Sequence, residues 1–186
     1  MELLRIELNG LSPLLMHNPA TMSRGPAETL ARKVIPTPEA EAAASRYLLP
    51  DGNFFVPAVA IRSSMLNGAK GYRIGKRPAR EILSGAVILT DEVFPLSRDG
   101  APIQGSDYSI DSRRAVVQGQ GIIRSRAKIE VPWQVECAFG FNSQLANLEQ
   151  VKTALENAGT IVGLLDYRPE KKGWFGRFEV TNIWSE

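Results

Sequence analysis

With one cysteine and one histidine among 186 residues, this sequence excludes several kinds of chemistry before any motif is sought. Cys137 alone forms no internal disulfide and supplies no cluster of zinc ligands. It stands in an apolar alternation and reads as a buried structural thiol. His17 alone removes any histidine-pair metal site and leaves one candidate for imidazole chemistry near neutral pH. Its neighbours, Leu14-Leu-Met16 before it and Asn18-Pro19 after it, include no orienting acid, so no catalytic residue is assigned. Long apolar runs are also missing. None approaches the roughly 20 residues of a membrane helix, and Met1-Glu-Leu-Leu-Arg-Ile-Glu7 lacks the layout of a secretory signal. A cytoplasmic protein with no membrane partner is expected.

Known catalytic signatures are absent too. Gly75-Lys76 is followed by Arg77 and lacks the spaced glycine of a phosphate loop. No Gly-x-Ser-x-Gly elbow and no His-Glu-x-x-His occurs. Nucleotide hydrolysis and metalloprotease chemistry are therefore unsupported. Asp91, Glu92 and Asp166 read as scattered surface acids, and no metal or cofactor is expected.

The most informative absence is of negative charge. From Gly52 to Arg80 there is no acid but there are six bases: Arg62, Lys70, Arg73, Lys76, Arg77 and Arg80. From Ser112 to Ile129 there is again none, with five bases: Arg113, Arg114, Arg124, Arg126 and Lys128. Removing these 11 from the 22 bases leaves 11 against all 20 acids, so a +11 portion is carried on a −9 body under a net charge of only +2. Such segregation suggests a polyanion-binding face, because phosphate contacts by Lys and Arg release counterions and dominate non-specific nucleic-acid affinity.

What is present predicts one domain over 1–186. Leu4, Ile6 and Leu8 alternate with polar residues as in a half-buried strand that Gly10 and Pro13 end. Residues 9–52, broken by prolines and holding an alanine-rich piece over 39–47, read as an insertion and not as core. Pro57 opens a helix with Ala58, Ile61, Met65 and Ala69 on one face, followed by a mobile basic loop over 70–80. Residues 84–94 read as a second strand. A second, glycine-bearing insertion spans 95–128, and such long excursions are more often functional than idle. From Ile129 to Phe141 apolar residues alternate as one long strand, with an edge or bulge at Pro132. Asn147 and Gln150 form a capping box for a helix that Gly159 closes. Phe178, Val180 and Trp184 give the last strand. The class is α+β, with a ferredoxin-like or RRM-like β-α-β-β-α-β core and two large insertions.

Between that helix and the last strand runs Gly159 to Val180, with glycines at 163, 173 and 176 and cations at Arg168, Lys171, Lys172 and Arg177. Glycine admits a ligand backbone closely because it has no Cβ, so Gly163 and Gly173 join the candidate site. Lys172-Gly-Trp-Phe-Gly-Arg-Phe178 superficially resembles the aromatic strand on which RNA-recognition domains stack bases, displaced here to the last strand.

Three patterns carry a wider resemblance: Leu4-Arg-Ile-Glu-Leu-Asn-Gly-Leu-Ser-Pro-Leu-Leu15, Phe55-Val-Pro-Ala-Val-Ala-Ile-Arg-Ser-Ser-Met-Leu66, and the Gly159 to Phe178 stretch. With the element order, they resemble the repeat-associated RNA-binding superfamily and, within it, the Cas7-like backbone subunits of CRISPR effector complexes. Short forms in bacterial viruses or mobile elements are similar. The third pattern matches loosely, since the family's fuller glycine run is missing.

The resemblance implies a non-enzymatic protomer that binds single-stranded guide RNA, forms a homo-oligomer head to tail, and meets other effector-complex subunits. The 95–128 insertion would be a thumb-like hairpin that reaches the neighbouring copy. Some relatives cleave target RNA with an early-loop aspartate, and no Asp occurs between Met1 and Leu49 here. The expected RNA-binding residues are Arg62, Lys70, Arg73, Lys76, Arg77, Arg113, Arg114, Arg124, Arg126, Lys128, Gly163, Arg168, Lys171, Lys172 and Gly173. Two alternatives stay open: a metal-independent RNA endonuclease with His17 as base, and a viral DNA-binding assembly protein.

Overall fold

The computed structural model describes residues 1–19, 36–117 and 120–186. Residues 20–35 and 118–119, within the two expected insertions, lie outside the described part. In chain order the first elements are β1 (Glu2–Gly10), β2 (Leu14–Leu15), α1 (Pro38–Ala44), β3 (Phe55–Pro57) and α2 (Ala58–Gly68). Next come β4 (Arg73–Ile74), β5 (Arg77–Pro78), α3 (Ala79–Ala86), β6 (Val87–Leu89), β7 (Val93–Arg98) and β8 (Ala101–Pro102). The chain finishes with β9 (Ser109–Val117), β10 (Gln120–Ile129), β11 (Gln134–Phe141), α4 (Leu148–Asn157) and β12 (Phe178–Ser185).

The structure is α+β. Its main sheet is antiparallel throughout, in the order β12-β1-β11-β7-β3, with β6 also paired to β11 and β8 to β7. β1 lies inside the sheet because both its neighbours offer apolar residues in register. Leu4, Ile6 and Leu8 stand opposite Phe139, Cys137 and Val135 on one side, and Ile6 and Leu8 opposite Ile183 and Val180 on the other. Ala58, Ile61 and Met65 of α2 and Val151, Ala154 and Leu155 of α4 complete the same buried cluster. Each large apolar side chain fully buried there contributes about 1.5–3 kcal/mol. Cys137 is buried as expected, and burial pushes its thiol up, away from the reactive thiolate. No helix of the described residues is long and apolar enough to cross a membrane.

Several expectations need correction. The 84–94 strand is shorter: Ala79, Leu83 and Ala86 are buried at helical spacing, so the chain stays helical to Ala86. Its extended part then splits into β6, opposite Phe139–Phe141, and β7, opposite Gln134–Val135. The basic 70–80 segment is a β4–β5 hairpin turning at Gly75 (φ 59°), followed by the first turn of α3. The alternation from 129 to 141 runs through two strands of different sheets. Ile129 ends β10 and β11 begins at Gln134, yet Ile129, Trp133 and Val135 are all buried, so the pattern hides the break.

The capping box forms, with Gln150 N donating to Asn147 Oδ1 and Asn147 N to Gln150 Oε1, both at 3.0 Å. Its helix does not close at Gly159. A wider π turn carries it to Val162, and Gly163 (φ 76°) ends it.

The two insertions meet. β2 pairs with β10 and β10 with β9, making a second sheet. α1 covers the free edge of β10: Glu41 Oε2 accepts from Ser125 N at 2.8 Å and Ser45 Oγ from Ala127 N at 2.9 Å. Side chains thus satisfy edge donors that would otherwise be orphaned. Leu14 and Met16, in the stretch read as insertion, are fully buried members of the main core.

Trp133 joins the two sheets. It is fully buried, and its Nε1 donates to the Ser12 carbonyl at 2.8 Å. Trp133→Phe removes that donor and leaves a small void, so unfolding in urea should show a loss of about 1–3 kcal/mol. An unchanged midpoint would contradict this role.

Candidate nucleic-acid interface

The β9–β10 hairpin sets Arg113 opposite Arg124 and Asp111 opposite Arg126. With a strand period of two, these four residues share one face, and that face meets the loop between α4 and β12. The Arg113 guanidinium is bound by Asp111 and lies 5.0 Å from the Tyr167 ring and 4.7 Å from the Phe175 ring. Hydrogen bonding to Asp111, against the opposing effect of burial, raises the Arg113 pKa and keeps it charged. Arg126 is 7% exposed, with Nε 2.6 Å from Asp166 Oδ2. That N–H is not aimed for a hydrogen bond to any described residue, so the pair is held by charge and proximity. Arg124 Nη1 lies 3.4 Å from His17 Nε2 and has no carboxylate partner among the described residues.

The first basic stretch reaches the same loop through Lys70, whose Nζ is 3.7 Å from Glu170 Oε1. Glu170 Oε2 also accepts from Arg168 Nη2 at 2.8 Å. Burial acts to raise the Glu170 pKa, but Arg168, Lys70 and Lys171 together hold it below its ordinary value.

Behind the loop is an open cleft of about 280 Å³ lined by His17, Tyr47, Ser63, Ser64, Asn67, Gly163, Asp166 and Arg168, among others. Tyr47 donates its hydroxyl to the His17 carbonyl at 2.9 Å, and Ser64 Oγ donates to the Gly163 carbonyl at 2.8 Å. Burial, reinforced by Arg124 and Arg126 and opposed by Asp166 and Glu41, lowers the His17 pKa. The imidazole is therefore neutral at neutral pH. The acids that act on His17, Asp166 and Glu41, are remote from it in the chain and leave no local sign beside it. The apolar Leu14-Leu-Met16 run beside the lone histidine was the available local sign that its position is fixed.

The expected binding residues divide by how far their charge is already matched. Arg62 is occupied by the Val87 carbonyl at 2.8 Å and the Ser84 carbonyl, tying α2 to the end of α3. Lys128 pairs with Glu130 at 2.7 Å. Together with Arg113, Arg126, Arg168 and Lys70, these have acceptors within the chain. Arg124, Arg114, Lys171, Lys172, Lys76 and Arg77 have no ion-pair partner among the described residues, and Arg73 donates only to the Lys76 carbonyl. Of these, Arg73, Lys76 and Arg77 lie on the exposed β4–β5 hairpin.

The two glycines serve the protein's own packing. A Cβ on Gly163 would come within 2.7 Å of Pro169 Cδ, and one on Gly173 within 1.6 Å of the Tyr167 carbonyl oxygen. They let the loop fold on itself. Among the described residues, no group of three or more His, Cys, Asp or Glu side chains is placed to hold a metal ion.

No protein-family model matches the sequence, and no curated protein matches it. Among solved structures, the fold is similar to a chain in the cryo-electron microscopy structure of a Type III-B Cmr-beta complex bound to cognate target RNA. The TM-score is 0.55 at 11% identity, and the match covers 99% of this chain and 60% of that one. At that identity the likeness is one of fold, and this chain corresponds to about three-fifths of the neighbour's length.

Proposed function

We propose that the protein is a non-enzymatic subunit that binds single-stranded RNA, a guide strand in the assembled state. It multimerises head to tail along that strand as a Cas7-like effector backbone, beside other effector-complex subunits. The observation that carries this reading is the convergence of Lys70, Arg113 and Arg126, from both acid-free stretches, on the loop that holds Arg168, Lys171 and Lys172, with Arg124 beside His17 at the adjoining cleft. Internal acids match part of that charge and leave Arg124, Lys171 and Lys172 for phosphates.

Two further observations support it. β11 lies between β1 and β7 and is antiparallel to both, as the interposed strand would be in the split βαβ arrangement of a ferredoxin-like or RRM-like core. One match, which covers 99% of this chain, is to a chain of Type III-B Cmr-beta bound to cognate target RNA. The protein is then one domain with insertions over 9–52 and 95–128, less Leu14 and Met16, which belong to the core, and the 95–98 end of β7, which belongs to the main sheet, and β9–β10 is the thumb-like hairpin.

The test is the absorbance ratio and native mass of purified protein before and after RNase and DNase. Loss of bound nucleic acid to RNase alone is expected, and loss to DNase alone would favour the viral DNA-binding reading.

One observation favours a second reading, metal-independent RNA cleavage: His17 is neutral, lines the cleft and lies beside Arg124. Under the binding reading, neither wild type nor His17→Ala cleaves a labelled single strand in the presence of a chelator, and both bind it within about twofold. Cleavage by wild type that is lost in His17→Ala with binding retained would establish the enzyme instead.

A further inference from the structure

The loop between α4 and β12 presents one aromatic ring outward from a rigid backbone. Trp174 is 52% exposed, while Phe175 beside it is 1% exposed. Single exposed aromatics are common on protein surfaces, so exposure alone decides nothing here. Its mounting is more telling. The Trp174 carbonyl accepts from Ser12 Oγ at 2.9 Å, and the same hydroxyl oxygen accepts from Arg177 N at 2.9 Å. Gly173 N donates to the Arg168 carbonyl at 3.0 Å, which fixes the other side. The indole rests on Phe175 with centroids 4.6 Å apart, and no other ring or cation stacks on it among the described residues.

The indole N–H gives a second sign. Trp133 and Trp184 each donate Nε1 to an acceptor in the chain, the Ser12 carbonyl and Glu186 Oε1. Trp174 has no such acceptor among the described residues. Lys172 and Arg177, exposed on either side of it in the chain, have no ion-pair partner among the described residues. A ring held in place and flanked in the chain by two exposed cations that have no ion-pair partner among the described residues meets the needs of an unpaired nucleobase and its flanking phosphates.

We propose that Trp174 is a stacking platform for an unpaired base of the bound strand, with Lys172 and Arg177 holding the adjoining phosphates; this rests on the RNA-binding reading. Stacking is independent of base identity, so the platform fixes where a strand lies without selecting its sequence. Its contribution is uncharged, and this separates it from the cations.

The test is titration of the full chain with a short single-stranded oligoadenylate, followed by intrinsic fluorescence and by anisotropy of a labelled strand at several salt concentrations. Wild-type fluorescence should be quenched on binding. Trp174→Phe should bind within about threefold of wild type with the quench removed. Trp174→Ala should bind about 5- to 150-fold more weakly with the same salt slope. Binding by Trp174→Ala equal to wild type, or a quench that persists in Trp174→Phe, would overturn the platform and leave RNA binding standing. No binding by wild type would overturn both. Thermal melts of the variants, expected to match wild type at this half-exposed position, identify any loss caused by unfolding.

Discussion

Replacing Arg124, Lys171 and Lys172 together by alanine is expected to weaken binding of a short single-stranded RNA about 50-fold at 0.15 M salt. It should also lower the slope of log K against log salt by about 2. Each cation that releases a counterion from a single strand contributes about 0.7 to that slope, and these three have no carboxylate partner among the described residues. Arg62→Ala provides the contrast. Arg62 lies in the same acid-free sequence pattern, but it is bound to the Val87 and Ser84 carbonyls. Its loss should lower thermal stability and leave the salt slope unchanged. Anisotropy titrations over a salt series check both. An equal slope in the triple variant would place the phosphate contacts elsewhere.

The second large effect concerns assembly. Arg114 and Ile123 are directly opposite in the β9–β10 register, so residues 115–122 can be replaced by Asn-Gly as a two-residue hairpin loop without disturbing the pairs below. That variant keeps Arg113 on the Tyr167 and Phe175 rings, Arg124 beside His17 and Arg126 beside Asp166. It should remain a folded monomer with weaker, salt-sensitive RNA binding and should form no multimers on a long strand. The reason is that the proposed head-to-tail contact is assigned to this projecting hairpin, and such a contact extends openly unless the rotation closes a ring. Native mass spectrometry with wild type as reference checks this. Multimers of undiminished size would assign the contact to another surface.

Much of the main sheet was legible because its strands alternate over long spans against a covered face. Leu4, Ile6 and Leu8, and Val135 through Phe141, are buried on the period that the sequence displays. The capping box was legible because its signal is local. The limits were equally physical. Ile129 and Trp133 stay in phase with β11 although they precede it, so periodicity concealed a change of sheet. At 79–89 helical and extended patterns overlap, and the helix extends to Ala86.

The site was legible as charge and not as geometry. Composition located both acid-free stretches, but only tertiary contacts reveal that Arg62 supports α3 while Arg124 has no carboxylate partner among the described residues. Likewise Gly163 and Gly173 stand at close approaches within the chain, to Pro169 and Tyr167, which no local signal names. His17 gained Asp166 and Glu41 as neighbours only when α1, β10 and the 163–176 loop came together.

The central claim is that this basic face tracks a single RNA strand while copies of the chain add along it. Native mass measurement of wild type on single-stranded RNAs of increasing length tests that most directly. The account predicts protomers added in proportion to strand length, with each increment dissociating as salt is raised. A single protomer on every strand, however long, would contradict it.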